Sequence, residues 1–126
     1  MPTHISLRLR HPSQDLSMAA SRLGFPIARI WASGESRKTI AGGPMGGEYR
    51  ESYCAMSIVS EPATIAEAIQ TINRTLVAAV DSLPILDDAT LRKSLYCTLE
   101  TEGEVIDSAA LKLLAYWNIE LEISGN

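Results

Sequence analysis

Residues on which most catalytic and metal sites depend are scarce in this chain, whose 126 residues contain two histidines and two cysteines. His4 and His11 stand at an odd separation, so an unbroken strand between them puts them on opposite faces, where they do not share a metal. Cys54 and Cys97 each fall inside an expected strand rather than in a close pair. That placement suits small buried core residues better than a disulfide, a redox couple or an activated nucleophile. Zinc asks for three or four converging ligands, and no spacing here supplies them. No metal, no cofactor and no catalytic residue is therefore expected.

Long apolar runs are missing as well. Apolar residues make up 46% of the chain, yet no run approaches the roughly 20 residues that cross a bilayer. The start, Met1-Pro2-Thr3-His4, lacks a basic patch followed by an apolar stretch, so the expectation is a cytoplasmic protein with no membrane contact. Net basic charge is absent too: the formal charge is −4, which argues against a nucleic-acid partner. The charge is unevenly divided. Residues 1–60 carry seven Lys or Arg against four acidic groups and residues 61–126 carry four against eleven, so +3 and −7 sum to the −4 of the whole. Such a division favours pairing with a basic partner, or with the basic half of another copy.

What the chain does have is regular patterning. Its length suits one domain, residues 1–126, able to bury a core without metal or disulfide support. Ile5, Leu7 and Leu9 alternate with Ser6, Arg8 and Arg10, the period of a strand with one covered face. His11-Pro12 ends it. Ser13 is expected to cap a helix with Asp15 in its first turn, an apolar stripe of Leu16, Ala19, Ala20 and Leu23, and Gly24 as its stop. Residues 27–32 read as a short edge strand, 34–47 as a long loop, and 48–60 as a central strand exposed at its start.

Ser60 with Pro62 is expected to open the most regular amphipathic helix, with Ile65, Ala68, Ile69, Ile72, Leu76, Ala79, Val80 and Leu83 on one stripe and Pro84 as its end. Residues 87–94 read as one or two further turns anchored by Leu91. A strand over 95–100 follows, then the acidic turn Glu102-Gly103-Glu104. The last helix is capped by Asp107 or Ser108 and striped by Ala110, Leu111, Leu114 and Ala115, with Leu113 and Trp117 widening the stripe and Asn118 left-handed after it. Ile119, Leu121 and Ile123 make the closing strand. This order predicts an α+β fold: a ferredoxin-like split βαβ core, a mainly antiparallel sheet with helices on one face, and an appended C-terminal helix and strand.

The stretch from Arg29 to Tyr53 is the candidate site. Arg29, Arg37, Lys38 and Arg50 and the aromatics Trp31, Tyr49 and Tyr53 surround glycine-rich backbone at Gly42, Gly43, Gly46 and Gly47. Guanidinium groups grip carboxylates and phosphates in bidentate fashion, and glycine lets amides approach a ligand closely. The glycine run lacks the Gly-Lys-Ser/Thr ending of a phosphate-binding loop and opens no helix. A small-anion or small-molecule site remains the alternative. The leading expectation is a non-enzymatic protein that acts through protein contact, as a homodimer or on a separate protein.

The helix ending Leu23-Gly24-Phe25-Pro26, the Arg29 to Gly34 segment with Trp31, Arg37-Lys38, the Ile65 to Leu83 helix, and the ending Leu111, Leu114, Ala115, Ile119, Glu120, Leu121, Glu122 together resemble a family of small, mostly bacterial proteins, domain of unknown function 4279. Where that family commonly has Trp-Arg-Lys-Gly, this chain has Trp31-Ala32-Ser33-Gly34, with the basic pair later. The resemblance implies an α+β fold and no assigned chemistry. Small proteins of this kind sometimes resemble immunity proteins that neutralise a toxin, a role for which the acidic second half suits a basic toxin as partner.

Overall fold

The computed structural model describes residues 2–38, 41–58, 64–99 and 105–125. In chain order the elements are β1 (Pro2–His11), α1 (Ser17–Leu23), β2 (Ile27–Trp31), β3 (Ser36–Lys38), β4 (Pro44–Glu48), β5 (Ser52–Ser57), α2 (Ile65–Ala79), β6 (Arg92–Leu99), α3 (Ser108–Tyr116) and β7 (Ile119–Gly125). Strands β2-β5-β1-β6-β7 lie side by side in one sheet and β3-β4 form a separate two-stranded sheet. β1 pairs antiparallel with β5 and β6, β2 antiparallel with β5, and β7 parallel with β6. A parallel neighbour needs a crossover, and α3 supplies it.

Alternation in β1 decides which side is covered. Leu7 pairs with Met56 and Leu95, and Leu9 with Cys54; all are fully buried beneath the helices. α2 contributes Ile65, Ala68, Ile69, Ile72, Leu76 and Ala79 to the same core, the stripe expected of it. The other side of the sheet, beginning with His4, Ser6, Arg8 and Arg10, has no helix over it among the described residues. A mixed α+β fold, a mainly antiparallel sheet and helices on one face are as the patterning predicts, and the C-terminal strand β7 takes the edge beside β6.

Several local expectations need correction. Residues 34–47 are not a loop: Ser36 pairs with Glu48 and Lys38 with Pro44 in a hairpin arm. Every residue of β3 and β4 is exposed, so backbone pairing rather than an apolar face holds the arm together, and no hydrophobic period announces it. Gly46 and Gly47 at φ 80° and 76° give β4 a curvature that a side chain resists. The expected strand over 48–60 is β5 alone, starting at Ser52, because Tyr49 turns back to hydrogen-bond Gly34 and Glu35. Residues 59–60 lie outside the described residues.

Helix starts differ too. Ser13 does not cap α1: its amide and that of Gln14 donate to His11 Nδ1, and the helix begins at Ser17, whose amide donates to Asp15 Oδ1 at 2.7 Å. α2 is capped by Thr64, which accepts from the amide of Glu67, the Thr-x-x-Glu order of a capping box; Ser60 and Pro62 lie outside the described residues. α2 ends at Ala79, short of the expected Leu83, and 3-10 turns follow at 80–82 and 84–87. The turns expected over 87–94 stop early, since Asp88 Oδ1 accepts from both the amide and hydroxyl of Thr90 and the chain enters β6 at Arg92.

Asp107 caps α3 by accepting from the amide of Ala110, and Asn118 is left-handed at φ 55°. Of the expected stripe, Ala110 and Leu114 are buried together with Trp117, whereas Leu111 and Ala115 face solvent. A helix covering only the sheet's edge buries a narrower face than one lying over its middle. The acidic turn at 102–104 lies outside the described residues.

Candidate functional site

Trp31 closes β2 and pairs across β5 with Tyr53, so both rings project from the side of the sheet without helices. They stack at 4.6 Å between centroids, and Tyr49 stacks on the opposite face of the indole at 4.4 Å and 11°. Tyr49 is held in place by its backbone: Gly34 N–H donates to its carbonyl and its own N–H donates to Glu35 O, each at 2.9 Å. The Trp31 Nε1–H donates to Glu51 O at 3.1 Å. The indole thus has both faces and its one donor occupied. Each such stack contributes about 0.5–1.5 kcal/mol beyond the area it buries.

This trio divides the four candidate cations. Arg29 and Lys38 line a cleft of about 480 Å³ with Trp31, Tyr49, Glu35 and Ser36. Arg37 and Arg50 line another of about 570 Å³ with Pro12, Glu48 and Glu51 on the far side of Tyr49. The structure therefore brings Trp31, Tyr49 and Tyr53 together, and pairs Arg29 with Lys38 and Arg37 with Arg50, but does not converge all four cations on one point. Each cleft also contains a carboxylate, which offsets its positive charge. Arg29 lies 5.1 Å from the Trp31 ring and Arg37 reaches Met45 Sδ at 3.5 Å.

Further charged and aromatic groups on the same side of the sheet were not singled out from sequence. The guanidinium carbon of Arg8 lies 4.1 Å over the ring of Tyr96, and that of Arg10 lies 5.1 Å from the ring of Tyr53 and faces Glu51 at 3.9 Å. Arg92 faces Glu120 at 3.7 Å, both well exposed. The signal was present: Arg8 and Arg10 occupy the positions of β1 opposite its apolar set, and Tyr96 opposite Leu95 and Cys97. Only strand order shows that they share a surface with Trp31 and Tyr53.

A separate polar cluster surrounds His11, which is 4% exposed. Its Nδ1 accepts from the amides of Ser13 and Gln14, so the proton resides on Nε2, which faces Asp88 Oδ2 at 2.9 Å and Thr90 Oγ1 at 3.1 Å. With both nitrogens engaged inside the fold, this histidine ties the end of β1 to the turn before β6 and has no lone pair left for a substrate proton. The Thr90 hydroxyl, then His11, hold the Asp88 carboxyl down at about 2. His4, on the opposite face, is exposed.

Cys54 and Cys97 are fully buried, and burial pushes the Cys54 thiol up to about 11, away from thiolate chemistry. Among the described residues no group of three His, Cys, Asp or Glu could hold a metal ion, and no helix is long and apolar enough to cross a membrane. No family model matches the chain, and neither curated proteins nor solved structures provide a match. The resemblance to domain 4279 rests on the quoted motifs alone.

Proposed function

We propose that this chain is a non-enzymatic, split βαβ domain of the ferredoxin-like kind that works through protein contact on the uncovered side of its sheet. The order β6-β1-β5-β2, all antiparallel, supports the split βαβ reading, with α3 and β7 appended beside β6. The observation that carries the functional reading is the composition of the uncovered side. Arg8, Arg10, Arg29 and Arg92 stand there with Trp31, Tyr53 and Tyr96, and among the described residues of the five-stranded sheet the one lysine, Lys93, lies on the covered face. Arginine, tyrosine and tryptophan are the side chains that dominate binding energy at protein interfaces, and lysine is depleted there. Their aromatic faces are covered by one another and by arginines, which leaves little for stacking on a flat ligand and favours a broad contact.

The test uses the native thiols' burial. With Cys54 and Cys97 inaccessible, a cysteine placed at Ser94, in the middle of this surface, is compared with one at Val77, 58% exposed on α2. Because Ser94 is already part-buried in the single chain, the comparison is with the dilute purified protein: in intact cells, where every partner is present, the rate at position 94 relative to position 77 is expected to fall much further. An unchanged ratio contradicts the reading.

A second reading draws on the cleft between Arg29 and Lys38, whose 480 Å³ suits a small carboxylate or phosphate ester. Ligands of that class at millimolar concentration would raise the melting temperature by mass action, and Lys38→Ala would abolish the rise. No shift with any of them contradicts it.

A further inference from the structure

We infer that the partner on the uncovered sheet face is a second copy of this chain, related by a two-fold axis lying between the sheets and parallel to their strands. The inference rests on the contact reading above and adds the occupant and its orientation. A face-to-face pair of identical sheets has two simple arrangements. An axis running across the strands lays each strand over its own copy, so that Glu120 and Glu122 of β7 meet the same glutamates. An axis running along the strands exchanges the edges and lays β7 of one copy over β2 of the other.

Charge selects the second. β2 carries Arg29 at one edge and β7 carries Glu120 and Glu122 at the other, and all are exposed. Arg29 is level with Ala55, Ala55 with Arg8, Arg8 with Ser94, and Ser94 with Glu120. Exchange of edges therefore brings Arg29 and Glu120 of opposite copies to the same height, at both ends of the interface. β1 meets its own copy in either arrangement, so the edges decide, and like charges opposed at both edges suppress the first arrangement.

Relief points the same way. The middle strand is β1, and the ridge made by Arg8 lying on Tyr96 stands on its β6 side. On its β5 side the same heights hold Ala55, 8% exposed, and Ser57, both small side chains. Rotation about an axis along β1 sets the ridge of each copy against these small side chains of the other. Five strands about 4.8 Å apart and about seven residues long span roughly 24 Å by 24 Å. That is somewhat under 600 Å² a side before side-chain relief is added, close to what a specific interface needs.

Light scattering during size-exclusion chromatography of the purified chain tests this. The expected mass is twice the 13.7 kDa of the monomer. Arg29→Glu weakens the dimer about tenfold or more, Glu120→Arg does likewise, and the two combined restore it, a rescue that misfolding cannot imitate. Ala55→Arg sets a long charged side chain against the Arg8 ridge of the other copy and gives a folded monomer by circular dichroism. A wild-type chain that stays monomeric at high concentration, or a dimer indifferent to all of these substitutions, overturns the inference. A monomer whose position 94 is still protected in cells has a different protein as partner, so only the second copy fails; a monomer with no protection sinks both proposals.

Discussion

Asn73 of α2 accepts a hydrogen bond from Trp117 Nε1 at 2.9 Å, and through it the last helix and strand are tied to the core helix. Trp117 is 8% exposed, so its N–H has little water to turn to if the partner is lost. Asn73→Leu is expected to destabilise the fold by about 1–3 kcal/mol, the range for leaving a buried donor unpaired. In a Trp117→Phe background the same change costs less, because no donor remains to be stranded. Urea denaturation of the four-member cycle measures the difference.

The stack on Trp31 gives the arm its position. Tyr49→Ala removes a ring at 4.4 Å and is expected to reduce global stability by only about 0.5–1.5 kcal/mol. Its larger effect is local: amides of β3 and β4 exchange with deuterium faster, while those of β1 and β6 are unchanged. Equal acceleration everywhere would show that the arm and sheet unfold together.

Acid stability should bear the mark of Asp88. Its folded carboxyl titrates at about 2 against 3.8 for an ordinary aspartate, so the folded state holds the ionised form more tightly than the unfolded chain. The resulting stabilisation is fully present above about pH 4 and is lost as pH falls through about 2. Asp88→Asn removes that contribution, so its stability falls less steeply than the wild type's between pH 4 and 2. Parallel acid limbs in the two proteins contradict the role assigned to the Thr90 and His11 bonds.

Lys93 sits on the covered face, level with Leu9 and Ile119, and is 6% exposed. Burial lowers its affinity for a proton from the usual 10.5, an effect partly offset by the charge of Asp87. The charged form therefore opposes folding at neutral pH, and the penalty fades as pH rises toward 10.5. Lys93→Met keeps the apolar stem and removes the charge. It is expected to leave stability equal or raise it by under about 1.5 kcal/mol at pH 7, with the advantage shrinking at pH 10. A marked loss at pH 7 would mean that the ammonium is bonded favourably.

Much of this architecture is legible because burial leaves a period in the sequence. Leu7, Leu9, Leu95 and the stripe from Ile65 to Ala79 each repeat at the spacing of their element, and Gly24 and Asn118 mark helix ends where a left-handed residue is needed. Ser36 to Glu48 lacks any such record, since exposed backbone pairing places no demand on side chains. The candidate site is half legible for a related reason. Trp31, Tyr49 and Tyr53 lie close in sequence and meet, whereas Arg8, Arg10, Arg92 and Tyr96 join their surface only through strand order, which is a tertiary fact. The capping role of Thr64 was readable in Thr64-Ile65-Ala66-Glu67, but Ser60 with Pro62 offered a competing start.

The most direct measurement of the central claim is photo-crosslinking from a single reactive residue installed at Ser94, with the same residue at Val77 as reference, in cells making the chain at ordinary levels. The account predicts a discrete protein adduct from position 94, at the mass of two chains, and none from position 77. Adducts only from position 77, or none from either, would contradict a contact surface on the uncovered side of the sheet.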